Sequence, residues 1–283
     1  MILDDLVLHP KTRKQVKSTL SSMPHSLIIE GQSGVGVATL ARAIAHELGS
    51  PNLILLPKRK EKNEYIIDEK NGNIVIEDIR ELYLRTRSKQ PKKHVYILDT
   101  GEKSLTLGAQ NAFLKLLEEP RDNVHFIITT HHLEMLLPTI QSRCQQITAH
   151  NISDDQTREF INGLDVDDET KIRRLAFVGR GKPALITRLA HDKQSYDERV
   201  NIMTDAKSML GSSNYDKICI ANRYNSNRAD SLTLVDDIIY QLTTVLRSNP
   251  SSEITRSINI FSDVHDSIRA GGNIRLQITS GIL

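Results

Sequence analysis

The sequence contains no tryptophan, and aromatic residues make up only 4% of its 283 residues. A hydrophobic core built from this composition must therefore be mostly aliphatic. The two cysteines, Cys144 and Cys219, are far apart and form no C-x-x-C pair. This spacing excludes a cysteine zinc site, so we expect no metal. It also argues against a disulfide framework, which fits a reducing cytoplasm.

Long hydrophobic runs and a strong charge bias are also missing. No apolar run approaches the roughly 20 residues that a membrane-spanning helix needs. The opening residues Met1 to Asp5 include two acids and no basic region, so a secretory signal is not expected. We therefore expect a cytoplasmic protein without a membrane partner. A net charge of +2 does not favour nucleic-acid binding as the main activity, although a local basic patch stays open.

A glycine-rich stretch is the first motif that carries chemistry. It runs from Gly31 to Thr39, after the apolar run Leu27-Ile28-Ile29. The residues Leu40, Ile44 and Leu48 follow at helical spacing. Strand, glycine loop and helix in this order are the context of a phosphate-binding P-loop.

The loop has its glycines but not its chemistry. Gly31 and Gly36 stand at the two glycine positions of the G-x-x-x-x-G pattern, and Gly34 lies between them. A working loop continues with a lysine for the β- and γ-phosphates and a hydroxyl residue for Mg²⁺. Here these positions hold Val37 and Ala38. The sequence therefore predicts a phosphate cradle that has lost its catalytic side chains.

A second apolar strand, Val95 to Asp99, ends in an acid. In P-loop ATPases the acid at this place holds Mg²⁺, and a glutamate just after it commonly orients the attacking water. Asp99 is present, but Thr100 takes the place of the glutamate. Two independent catalytic positions are thus changed.

Apolar strands alternate with helical segments through the first half of the chain. This order predicts a mostly parallel sheet with helices on both faces. Ligands of such sheets bind at the carboxyl ends of the strands. The loop Gly31–Ala38, Asp99 and Thr130 all fall there in the predicted order.

Two other segments carry charge. We interpret residues 58–74 as a solvated polar loop with a turn at Asn71-Gly72. A helix over residues 74–84 should turn Ile76, Ile79, Leu82 and Tyr83 inward. The basic stretch from Arg85 to Lys93 could contact phosphates. A solvated helix end is the preferred interpretation, because cations suit a helix C-terminus.

Two further blocks give the most specific signature. The first is Ala109-Gln110-Asn111-Ala112-Phe113-Leu114-Lys115-Leu116-Leu117-Glu118-Glu119-Pro120. The second, after Thr130, is Leu137-Pro138-Thr139-Ile140-Gln141-Ser142-Arg143-Cys144. In residues and spacing these blocks resemble bacterial clamp-loader subunits of the AAA+ class.

This resemblance implies an α/β P-loop AAA+ core at residues 1–151, with a parallel sheet covered by helices on both faces. It implies a small helical lid at residues 152–196 and an all-α collar at residues 197–283. Apolar residues from Leu232 to Leu246 recur at helical spacing, and such a stripe must be buried somewhere.

Within this family the degenerate loop resembles that of delta-prime subunits, whereas gamma/tau subunits keep the lysine and threonine and hydrolyse ATP. The resemblance implies a non-hydrolysing subunit without a cofactor. It would assemble with gamma/tau-like ATPase subunits and a delta-like subunit, and through them act on the sliding clamp and primer-template DNA. The alternative is an active gamma/tau-like ATPase, since a helix N-terminus can hold phosphate without a lysine.

The resemblance also assigns Arg143 as an arginine finger that projects into a neighbour's ATP site and stabilises charge on the transferring phosphoryl group. Ser142 and Cys144 then position it. An ion pair at a helix end is the alternative for Arg143 by position alone. Ala184 stands where active members carry a nucleotide-sensing arginine. Arg188 one turn later is a candidate substitute, with a solvated arginine as the default interpretation.

Overall fold

The computed structural model describes residues 2–49, 52–62, 64–69, 71–87, 92–101, 103–119, 121–166 and 168–282. Its contacts divide the chain into two compact units, residues 1–190 and residues 191–283. The narrower borders at 151/152 and 196/197 stay predictions.

The first unit contains seven strands within the described residues. They are β1 (Ser26–Gly31), β2 (Asn52–Leu55), β3 (Lys58–Glu61), β4 (Glu64–Ile67), β5 (His94–Asp99), β6 (Val124–Thr130) and β7 (Gln145–Ala149). Its helices are α1 (Pro10–Ser21), α2 (Val37–Glu47), α3 (Ile76–Thr86), α4 (Leu107–Glu118), α5 (Pro138–Gln141), α6 (Asp154–Asn162), α7 (Glu169–Gly179) and α8 (Pro183–His191). Short 3₁₀ turns lie at Leu3–Asp5 and Leu133–Met135.

Five of the strands form one parallel sheet in the order β2-β5-β6-β1-β7. Successive side chains of a strand point to opposite faces. One face packs on α3 and α4, through residues such as Ile28, Phe126 and Phe113. The other packs on α1 and α2, through Ile127 and Leu40 among others. Because both faces of the sheet are covered, its inner strands β5, β6 and β1 are largely apolar and buried, and the predicted α/β architecture is confirmed.

The loop predicted over residues 58–74 is wrong in part. Strands β3 and β4 pair there as an antiparallel hairpin outside the main sheet. Tyr65, Ile66 and Ile67 are exposed on β4, so the hairpin lacks the apolar alternation that marks a half-buried strand. Tyr83, predicted to face inward on α3, is also exposed.

The basic stretch after α3 is only partly described. Arg85 lies in the last turn of α3 and donates two hydrogen bonds, of 3.0 and 2.6 Å, to the Glu81 carboxylate. Residues 88–91 lie outside the described residues, as does Pro120, which was expected to end α4.

The second unit is all-helical, as predicted. Its helices are α9 (Lys193–Gly211), α10 (Asn214–Arg223), α11 (Arg228–Ser248), α12 (Ser252–Arg269) and α13 (Ile274–Ile282). Part of the predicted apolar stripe is internal core, because Leu234, Val235 and Ile238 are fully buried, whereas Val245 is exposed. No helix within the described ranges is long and apolar enough to cross a bilayer.

Candidate functional site

The glycine loop joins the carboxyl end of β1 to the first residue of α2. Gly36 precedes α2 with a φ of 100°, and Gly34 has a φ of 89°. Residues with a β-carbon rarely adopt these angles. Both glycines are therefore required by the turn itself, whether or not a phosphate binds there.

Side chains and backbone pack closely around the start of this loop. A β-carbon on Gly31 would come within 2.8 Å of both the Ala149 carbonyl oxygen and the Val35 Cγ1 atom. The Gly31 carbonyl lies 2.8 Å from His131 Nδ1, at hydrogen-bonding distance. These contacts fix Gly31 between β7 and the loop.

The position of the missing lysine belongs to the hydrophobic core. Val37 is only 3% exposed and packs in the same cluster as Leu40 and Ala41 of α2. Ala38 is half-buried and offers no hydroxyl. Loop residues 31–39 contain no lysine or arginine. This donor set does not fit a magnesium-bound triphosphate, the ligand that the AAA+ class implies for such a loop.

The polar residues at the neighbouring strand ends bond to one another. The Thr129 hydroxyl donates to Asp99 Oδ1 at 2.9 Å, and the fully buried Thr100 hydroxyl donates to the Thr129 carbonyl at 2.9 Å. The Thr130 hydroxyl accepts a bond of 3.0 Å from the His132 amide. Thr100 therefore holds the sheet edge together, in the place where a catalytic glutamate would orient water.

Helix α8 closes the loop from the other side. The Leu185 amide donates to the Gly34 carbonyl at 3.0 Å. A β-carbon on Gly36 would lie 3.6 Å from the Ala184 Cβ atom. Beside them is a cavity of about 510 Å³ whose lining is largely apolar and includes Val35, Ala184 and Arg188. Arg188 thus lies near the loop, although Ala184 itself offers no charge.

Arg143 lies at the opposite end of the strands from the glycine loop, just before β7 begins. Strand β7 begins at Gln145, paired with Leu27, and runs parallel to β1, so that Ala149 pairs with Gly31. Extended in this register, Arg143 lies level with the residue six positions before Gly31. At the rise of a strand, these six positions place Arg143 about 20 Å from Gly31. Because of this separation, Arg143 cannot serve the loop of its own chain.

The Arg143 side chain is held at two points on the surface. Its NH2 group donates to Glu118 Oε1 at 2.9 Å, and its NH1 group donates to the Thr139 carbonyl at 3.0 Å. The arginine side chain is 38% exposed and the glutamate 53%. The structure thus shows the ion pair that position alone suggested for Arg143, and this pair leaves the guanidinium partly accessible.

The residues on either side of Arg143 fix its backbone. The Ser142 amide donates to the Pro138 carbonyl at 2.9 Å, and the Ser142 hydroxyl to the Thr139 carbonyl at 3.2 Å. Cys144 packs against the core, and burial raises the pKa of its thiol to about 12. A thiol with this pKa is protonated and unreactive at neutral pH.

Sequence reasoning missed two glutamines that hold this segment. Gln110 on α4 donates to the Leu105 and Met135 carbonyls at 3.1 and 3.0 Å and accepts from the Leu137 amide at 2.7 Å. Gln141 donates to two carbonyls of residues 133–136 at 3.0 and 2.8 Å. The only signal was their place inside the two motif blocks, because a buried amide cannot be told from an exposed one by sequence.

Residues 9–153, just over half of the chain, match the model of the family described as DNA polymerase III, delta subunit. The chain belongs to this family. This membership confirms the resemblance to clamp-loader subunits that the motifs indicated.

Curated relatives agree on the family but not on one subunit type. The chain is 27% identical to the DNA polymerase III subunit delta' of Haemophilus influenzae over 57% of the chain and 53% of that relative. It is 32% identical to a DNA polymerase III subunit gamma of Buchnera aphidicola, over 52% and 44%. It is 27% identical to the replication factor C small subunit of Haloarcula marismortui, over 60% and 51%. The chain thus spans about half the length of these relatives.

Solved structures share the fold. A gamma subunit-related protein of Thermotoga maritima superposes with a TM-score of 0.52 at 17% identity, over 96% of this chain and 97% of that one. A point mutant of Thermotoga maritima RuvB gives a TM-score of 0.53 at 15% identity, over 95% and 90%. At these identities the likeness concerns the fold alone.

Proposed function

We propose that the chain is a non-hydrolysing, delta-prime-like subunit of a DNA polymerase III clamp loader. It assembles with gamma/tau-like ATPase subunits and a delta-like subunit, and the complex loads the sliding clamp on primed DNA. Arg143 enters the ATP site of an adjacent ATPase subunit, and Ser142 and Cys144 fix its backbone. Residues 152–196 act as the lid and residues 197–283 as the collar.

The contrast between Val37 and Arg143 carries this proposal. Val37 occupies the lysine position of the loop and is buried in the core, so the chain's own site lacks its main phosphate ligand. Arg143 is accessible at the other end of the strands, just before β7 begins. This arrangement supports a contribution to ATP chemistry at the site of another subunit.

The loop residues then have a structural role. Gly31, Gly34 and Gly36 make the turn between β1 and α2, as their φ angles and close contacts require. In this proposal Val37, Ala38, Asp99, Thr100, Thr130 and Ala184 occupy vestigial positions of an ATP site.

The test is the ATPase of the assembled complex with Arg143→Ala. An arginine supplied in trans contributes about 10³–10⁵ in rate where it has been measured, so the site facing Arg143 should fall nearly silent. Arg173→Ala is a matched control, because Arg173 is also an exposed arginine paired with a glutamate, at 2.6 Å on α7. Unchanged turnover with Arg143→Ala would exclude the finger.

An active gamma/tau-like ATPase is the second candidate. It is favoured by the similarity to gamma subunits, for example 33% identity to the gamma/tau subunit of Mycoplasma genitalium over 55% of this chain and 28% of that one. Backbone amides at the start of α2 could also hold a phosphate. Equilibrium dialysis of the isolated chain with labelled ATP separates the two, because tight Mg²⁺-dependent binding with turnover would reject the non-hydrolysing role.

A further inference from the structure

Among the described residues, Glu118 is the one side chain that hydrogen-bonds to the Arg143 guanidinium. It is the last residue of α4, 25 positions before Arg143 in the sequence, and its Oε1 atom accepts a bond of 2.9 Å from NH2. The second anchor is a backbone group, the Thr139 carbonyl, which accepts from NH1 at 3.0 Å. The two terminal nitrogens are thus held from two different helices, α4 and α5.

Helix stability does not explain a carboxylate at this place. The C-terminal end of a helix carries partial negative charge, so acids there are unfavourable. Glu118 is the last residue of α4 and Glu119 follows it directly. The pair with Arg143 is more than a third exposed on both sides, and such pairs contribute little to stability. The presence of a carboxylate at position 118 is therefore not explained by stability and needs another explanation.

The two anchors restrict the orientation of the guanidinium. A planar group held at both terminal nitrogens keeps a fixed plane, and a guanidinium has five N–H donors. Within the described residues two of these donors are bonded, and the side chain as a whole is 38% exposed. A free arginine side chain would have to lose its rotamer freedom each time it met a phosphate.

We propose that Glu118 is a positioning residue for Arg143, which holds the guanidinium in the orientation that a neighbour's phosphate requires. The inference rests on the proposed function of Arg143 as a finger. It differs from an inhibitory contact, in which Glu118 would compete with the phosphate and its removal would raise turnover.

The experiment measures steady-state ATPase of the assembled complex with Glu118→Ala, Glu118→Gln, Arg143→Ala and the double variant Glu118→Ala/Arg143→Ala. Glu118→Ala should lower kcat by about three- to fivefold, the factor that corresponds to an exposed ion pair, and leave KM for ATP unchanged. Glu118→Gln should retain most of the activity, because its amide oxygen still accepts from NH2. In the Arg143→Ala background Glu118→Ala should have no further effect.

Glu119→Ala is the matched control, since Glu119 is an exposed acid at the same helix end. It should leave turnover unchanged. Thermal unfolding and gel filtration of each complex check folding and assembly.

The outcomes distinguish a failure of the inference about Glu118 from a failure of the proposed function of Arg143. If Arg143→Ala abolishes hydrolysis at one site while Glu118→Ala leaves kcat unchanged or raises it, the positioning role is wrong and the finger stands. If Glu118→Ala lowers kcat equally with and without Arg143, its effect is structural and the inference is again wrong. If Arg143→Ala has no effect, the proposed function fails first.

Discussion

Restoring the lysine and threonine of a working P-loop should not turn this chain into an ATPase. The change is Val37→Lys together with Ala38→Thr. Val37 is 3% exposed in the core between the sheet and α2. Burial of a valine side chain contributes about 1.5–3 kcal/mol, and a lysine can keep only part of this through its aliphatic stem. We expect the free energy of unfolding to fall by about 2 kcal/mol.

Hydrolysis should stay at the wild-type background for a separate reason. The Thr100 hydroxyl is fully buried and donates its hydrogen to the Thr129 carbonyl, so it cannot orient water. Ala184, beside the loop, offers no charge to the phosphates. Urea unfolding measures the stability change, and phosphate release from the isolated chain measures activity. Ala38→Thr alone, at a half-buried position, should change stability by less than about 0.5 kcal/mol. Mg²⁺-dependent turnover by the double variant, or unchanged stability, would refute this reasoning.

Two further predictions concern the segment around Arg143. Gln110→Ala leaves two carbonyls and one amide without their partner, so the free energy of unfolding should fall by about 2–4 kcal/mol. Asn111→Ala, at an exposed position of the same helix, should change it little, and equal urea midpoints for the two variants would contradict this prediction. Because the pKa of Cys144 is raised to about 12, only about one thiol in 10⁴ is ionised at pH 8, and alkylation followed by mass spectrometry should modify the exposed Cys219 first; equal rates at the two thiols would show that Cys144 is not protected.

Much of the first unit's fold follows from local pattern. Strands β1, β2, β5 and β6 of the main sheet are mainly apolar because the sheet is covered on both faces, whereas the edge strand β7 begins with two exposed glutamines. The order of the strands along the chain alternates with amphipathic helices. The hairpin β3–β4 was missed because it does not contribute to the sheet core and its strands carry no apolar period. Tyr83 was misplaced because it lies next to Leu82, where helical spacing alone does not define the edge of the buried face.

The candidate site was likewise predictable only in part from the sequence. The glycine pattern and the changed residues Val37 and Thr100 could be read from sequence, because each position is defined by its neighbours along the chain. The link between Glu118 and Arg143 spans 25 positions, and the three bonds of Gln110 reach residues on both sides of β6. Such contacts depend on how α4 packs beside the segment before β7, which no local pattern records.

The central claim is that this chain provides Arg143 to an ATP site that is not its own. The most direct measurement is ATP hydrolysis by the reconstituted complex, with wild-type chain and with Arg143→Ala. The account predicts that one site's share of turnover is lost, with its rate falling by about 10³ or more, while the complex still assembles. Full turnover by a correctly assembled Arg143→Ala complex would contradict it.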